Sequence, residues 1–112
     1  MAAVELTERQ WDDVVAGSPV PLVALFWAEW CMPCRSVMPY YEVAAARWEG
    51  RARLGKIDAD ANRRLVQRLD IRGLPTLVVF RGGQEVARRV GLIPEEHLQE
   101  VLEAAVDVGA PR

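Results

Sequence analysis

Cysteine occurs twice in this chain, histidine once and lysine once, and each scarcity removes a class of protein from consideration. Two cysteines, Cys31 and Cys34, are too few for a secreted disulfide scaffold, and their spacing marks a local redox or metal pair instead. With His97 as the one further nitrogen donor, an intrachain zinc site lacks its four ligands, and only two chains sharing four thiolates would supply them. No metal is therefore expected. No apolar run approaches the roughly 18 residues that cross a bilayer, so no membrane role is expected. Fourteen basic against sixteen acidic residues leave a formal charge of -2, without the positive excess on which nonspecific nucleic-acid binding chiefly depends. The opening MAAVELTERQW has no basic region followed by an apolar stretch, so a secretory signal is not expected and a cytoplasmic location is.

What remains is a chain of 112 residues, 51% hydrophobic, which has the size and composition of one domain spanning residues 1–112. Val4 to Leu6 reads as an edge strand. Thr7 and Gln10 have capping-box spacing before a short helix that buries Trp11, Val14 and Val15. Leu22 to Trp27 is a continuous apolar run of strand length, as in a central strand covered on both faces. From Pro33, Val37, Tyr41, Ala44 and Trp48 fall on one side of a helix ending near Gly50, with Pro33 at its first position and Pro39 kinking its interior. Arg53 to Ile57 reads as a strand, Asp60 as the cap of a helix carrying Leu65, Val66 and Leu69, and Pro75 to Phe80 as a further strand. Gly82-Gly83 then turns an antiparallel hairpin into Glu85 to Val90. Pro94, Glu95 and Glu96 open a last helix with Leu98, Val101, Leu102 and Ala105 inside, and 107–112 read as a frayed tail. The alternation predicts an α/β domain with a mixed sheet and helices on both faces.

Chemistry concentrates at the cysteine pair. Cys31 shortly precedes Pro33, so its sulfur belongs at a helix N-terminus, where unpaired N–H groups and the helix dipole stabilise a thiolate. That makes Cys31 the attacking sulfur. Cys34, one turn inward, is within reach of a disulfide with Cys31 and is the resolving sulfur.

Ala28-Glu29-Trp30-Cys31-Met32-Pro33-Cys34-Arg35 resembles the active site of the thioredoxin family, and Ile71-Arg72-Gly73-Leu74-Pro75-Thr76 resembles that family's cis-proline loop. The resemblance extends over nearly the whole chain through Phe26-Trp27, Pro39, Lys56 beside Asp58, and Val90-Gly91. It implies the thioredoxin fold and a thiol–disulfide oxidoreductase that reduces protein disulfides through a reversible Cys31–Cys34 pair. It further implies a client-docking surface of Trp30, Met32, Pro33, Pro75, Thr76 and Gly91, with the backbone before Pro75 pairing with an extended client segment. No cofactor would be bound. Electrons would come from NADPH through a flavin-containing thioredoxin reductase, the partners would be that reductase and disulfide-bearing clients, and a monomer is expected.

Two positions depart from the family pattern. Met32 stands where glycine is common, and Leu25 where a buried aspartate usually relays a proton for the resolving cysteine. Lys56, the usual neighbour of that aspartate, is present and is the candidate for the proton route. Leu25 is expected below Cys34, so Leu25→Asp is expected to be less stable yet faster in reducing insulin at pH 7. The alternative function is a non-catalytic binding module or co-chaperone that uses the same fold. His97, Arg63-Arg64 and Arg88-Arg89 read as solvated residues, and Trp11 and Trp48 as packing residues, whereas Trp30 abuts the reactive cysteine.

Overall fold

A six-residue apolar strand needs cover on both faces, and the architecture supplies it. The computed structural model describes residues 2–108, the last two in backbone only. Strand β1 (Val4–Glu5), helix α1 (Trp11–Gly17), β2 (Leu22–Trp27), α2 (Met32–Arg47), β3 (Arg53–Asp58), α3 (Arg63–Arg68), β4 (Thr76–Arg81), β5 (Gln84–Val90) and α4 (Glu95–Val108) follow one another. The sheet order is β1-β3-β2-β4-β5, with β2 parallel to β3 on one side and antiparallel to β4 on the other. β1 is parallel to β3 and β5 antiparallel to β4, so the sheet is mixed, as the alternation of elements predicts.

Period-two alternation along β2 and β4 sorts the core into two layers. Val23, Leu25, Leu77 and Val79 face α2 and α4, meeting Val37, Tyr41, Ala44, Leu98, Val101 and Leu102. Leu22, Ala24, Phe26, Val78 and Phe80 face α1 and α3, where Trp11 and Leu65 complete the layer. The Trp11 ring stands edge-on to Phe80 at 5.3 Å between centroids, a geometry that aromatic quadrupoles favour. Tyr41 is sealed in the first layer, its hydroxyl lying 3.1 Å from the Val23 carbonyl and 2.7 Å from that of Gly55. One buried phenol thus ties α2 to both central parallel strands. Burial, with neighbouring Glu42 adding to it, pushes the Tyr41 hydroxyl well above its ordinary pKa, so it stays a donor.

Several local expectations are corrected. Asp60 does not cap α3: that helix starts at Arg63, after Asn62, whose buried amide donates to the Asp58 carbonyl at 2.8 Å and accepts from the Glu8 N–H at 2.8 Å. Of the capping box, the Thr7 N–H to Gln10 Oε1 half forms at 3.0 Å, but Gln10 itself precedes Trp11 as the cap and makes no side-chain capping bond. Pro33 takes the second position of α2, with Met32 first and Cys31 as N-cap. Of the tail 107–112, residues 107 and 108 continue α4, and 109–112 lie outside the described residues. The turn at Gly82-Gly83 is as expected, with φ of +63° and +82°, values that L side chains rarely adopt.

On the outer end of the α2 layer, Glu42 gathers three donors. Its Oε1 accepts from the Ala2 and Ala3 N–H groups at 3.2 and 2.8 Å, and its Oε2 accepts from Lys56 Nζ at 2.6 Å. Burial pushes the Glu42 carboxyl up, but the Lys56 and Ala3 hydrogen bonds and the Lys56 charge together outweigh it and hold the group below its ordinary value of 4.5. A depressed carboxyl contributes stability that is complete above the unfolded-state pKa and is lost as pH falls through the folded one. Glu42→Gln is therefore expected to lose about 1 kcal/mol at pH 7, a modest figure because both side chains are about a quarter exposed, and to match the wild type in strong acid; urea unfolding across pH measures this. Leu25, with no exposed surface, sits within the same layer. Leu25→Asp is expected to lower unfolding free energy by about 2 to 4 kcal/mol, the cost of an imperfectly paired buried carboxylate, in the same measurement at neutral pH.

Candidate active site

The cysteines sit where β2 hands the chain to α2. Ala28 follows the strand, its carbonyl accepts from the Cys31 N–H at 3.1 Å, and the turn so formed leaves Cys31 extended as the cap of α2, with φ -90° and ψ 109°. The Cys31 sulfur then accepts the Cys34 backbone N–H at 3.2 Å, taking one of the donors a helix start leaves unpaired. Cys31 and Cys34 are joined as a disulfide with Cα atoms 5.3 Å apart. Cys31 is 4% exposed and Cys34 fully buried, so the outer sulfur is the one that can be approached. Ala28, Trp27 and Leu74 pack around the pair, bringing the loop before Pro75 against the redox centre.

That loop carries a cis Leu74–Pro75 bond, in keeping with the resemblance. The Pro75 carbonyl accepts from the Gly91 N–H at 2.8 Å, which brings Gly91 to the same end of the molecule. Thr76 is fully buried, with its hydroxyl donating to the Gly73 carbonyl at 2.6 Å, so its side chain holds the loop in shape and does not face outward. Pro75 is also buried, Gly91 is half-buried and Pro33 is exposed. Trp30 and Met32, at 67% and 70% exposure, stand out as large apolar side chains on either side of Cys31 in the chain.

Some participants carry no signal in the sequence pattern. Trp30 Nε1 donates to Asp60 Oδ2 at 2.8 Å, and Asp58 Oδ1 accepts from the Asp60 N–H at 3.0 Å. The side chain read as a helix cap thus orients the exposed indole. From Trp30 a groove of about 510 Å³ runs past Asp60, Arg63, Val66 and Ile71 to Gly73 and Leu74, the residues leading into Pro75. On the other side Tyr40 donates its hydroxyl to the Ile93 carbonyl, and burial together with Glu95 and Glu96 raises its pKa and keeps it a donor. Ile93 is buried while Leu92 beside it is exposed. Contacts between residues 30 or more positions apart leave no periodicity to read.

Lys56 is in register with Leu25 across the parallel β2–β3 pair, but its ammonium is bonded to Glu42. Leu25 is buried in the layer that holds Val37 and Tyr41, and Cys34 is buried with Cys31 and Ala28, next to Trp27 and Leu74.

Comparison with known proteins agrees with this geometry. The Thioredoxin family model matches residues 2–104. The chain is 43% identical over 103 residues to thioredoxin of Staphylococcus aureus, covering 92% of this chain and 97% of that protein. It is 38% identical over 102 residues to thioredoxin 1 of a Nostoc species, covering 91% and 95% respectively. A matched domain over nearly the whole chain, with a cysteine pair joined at the cap of α2, establishes that the chain belongs to the thioredoxin family and is a thiol–disulfide oxidoreductase of the protein-disulfide reductase kind.

Proposed function

We propose that Cys31 is the nucleophile and Cys34 the resolving thiol of a general protein-disulfide reductase. In the reduced protein the Cys31 thiolate attacks a client disulfide, forming a mixed disulfide and releasing one client sulfur as thiolate. Cys34 then attacks the Cys31 sulfur, the second client sulfur leaves, and two electrons have passed to the client as the intramolecular disulfide closes. What carries the division of labour is the cap geometry: the Cys31 sulfur faces the Cys34 N–H and the positive end of a 16-residue helix, while Cys34 is enclosed.

Clients dock, in this reading, across Trp30, Met32 and Pro33 on one side of the disulfide and Pro75, Thr76 and Gly91 on the other, with Thr76 contributing backbone and loop shape. Exposed apolar area beside a groove supports it. The dithiol is restored by a flavin-containing thioredoxin reductase drawing on NADPH, and the protein acts as a monomer in the cytoplasm, where such a carrier stays reduced. Among the described residues no helix is long and apolar enough to cross a membrane. The proton that leaves Cys34 passes to solvent, because the Lys56 amine is engaged by Glu42.

Insulin reduction driven by dithiothreitol, and then by NADPH with a thioredoxin reductase, tests the chemistry and the electron source separately. Cys31→Ser with Cys34→Ser is expected to abolish both, and Cys34→Ser alone to accumulate a mixed disulfide with the client. Biological activity surviving in the double variant would instead identify a binding module. Resolution of the mixed disulfide is expected to accelerate as pH rises, because the thiolate is the attacking form, with Lys56→Met leaving that profile in place. A profile that flattens in Lys56→Met would return Lys56 to the proton route. Asp60→Ala, which frees the Trp30 indole, is expected to raise the KM for insulin about two- to fivefold, as for loss of one exposed hydrogen bond, without slowing reduction of a small aromatic disulfide.

A further inference from the structure

We propose that Met32 is a peroxide-sensitive modification site, whose conversion to the sulfoxide weakens the hold on protein clients while leaving the disulfide chemistry intact. The inference rests on the docking surface proposed above. Met32 opens α2 between the two cysteines and is 70% exposed, so its thioether is open to attack from solvent. Met38, in the second turn beyond it along the same helix, is half-buried against the core and is shielded by comparison.

The redox cycle itself creates the window for this reaction. In the reduced protein a hydroperoxide meets the Cys31 thiolate, and the sulfenic acid formed is closed by Cys34 to the disulfide with loss of water. In the disulfide form both cysteine sulfurs are bonded to each other and buried, and no thiolate competes. The accessible sulfur at the site is then that of Met32. Its lone pair attacks one peroxide oxygen, the O–O bond breaks, a sulfur–oxygen bond forms, and the second oxygen leaves as water or alcohol. The thioether is oxidised by two electrons and the peroxide reduced by two. A flexible apolar side chain becomes a polar, chiral one beside Trp30, where the client's own apolar groups are to be received.

The disulfide form of the intact protein, treated with hydrogen peroxide and mapped by peptide mass spectrometry, is expected to gain one oxygen (~16 Da) at Met32 ahead of Met38. After re-reduction, the KM for insulin is expected to rise about fivefold, equivalent to roughly 1 kcal/mol, with kcat and the rate on a small aromatic disulfide unchanged. A methionine sulfoxide reductase should reverse the change, and Met32→Leu should keep its own KM, whatever its value, through the same exposure. Oxygen arriving first at Met38, or a Met32 sulfoxide with unaltered KM, would overturn the proposal. Met32→Gln separates the two levels. If it raises the KM and the sulfoxide does not, the modification is wrong and the docking surface stands. If it leaves the KM unchanged in untreated protein, the docking role of Met32 falls and the inference with it.

Discussion

The apolar strand β2 is the constraint on which the rest of the molecule depends. Its residues 22 to 26 are buried on both faces, so helices must lie on both sides, and each connection leaving the sheet must return to one face or the other. β2 is flanked by a parallel neighbour and an antiparallel one, and the chain leaving its carboxyl end emerges where the connections diverge. Open α/β sheets form crevices at such points, which is where the cysteine pair and the loop before Pro75 meet. The reactive sulfur is therefore placed by a core requirement. Burial of LVALFW fixes the take-off of α2, and α2 fixes the Cys31 cap.

Helix α2 then carries rigidity in both directions from its cap. Val37, Tyr41 and Ala44 lock it onto β2 and β3, and the Tyr41 hydroxyl reaches carbonyls of both strands. Between the cap and that anchor, Tyr40 bonds the Ile93 carbonyl, so the helix that bears the cysteines also holds the segment after Gly91. Gly91 in turn is bonded to Pro75. The loops around the disulfide form one connected unit in which a helix, a buried phenol and a few backbone bonds set the spacing. Precision of this kind holds the surface groove that runs from Trp30 to Leu74 at a fixed distance from the buried sulfurs.

The sheet and its helices were legible in the sequence because each element has its own period: the continuous run of β2, the three-and-four spacing of α2 and α4, the Gly-Gly hairpin. The cysteines were legible because their spacing and the proline after Cys31 are local. The second rank of the site was not. Asp60 reads as a helix cap by composition, and only the folded chain brings it to the indole of Trp30, thirty residues away. Thr76 reads, by the resemblance, as part of the docking surface, and only the pairing of β4 on both sides shows its side chain turned inward onto the Gly73 carbonyl. Glu42 sits in a helical stretch where a charged residue is usually solvated, yet it receives Lys56 and two N-terminal amides. Side-chain hydrogen bonds between distant segments depend on tertiary placement, which no local pattern encodes.

The position of Leu25 shows how a core decides where charge can sit. A carboxylate at the centre of the α2 layer would need a partner there, and Lys56 is in register to provide one from β3. With leucine at 25 the layer is apolar around that point, and the lysine reaches to a carboxylate at the edge, where both charges keep about a quarter of their side chains in water. Moving the pair outward avoids most of the desolvation that a central ion pair would carry. It also uses Glu42 to fasten the chain before β1 onto α2, a structural role that a carboxylate on β2 could not fill. The same arrangement leaves β2 without an ionisable side chain, and in the proposed mechanism the Cys34 proton therefore passes to solvent while Cys31 is held in the mixed disulfide with the client.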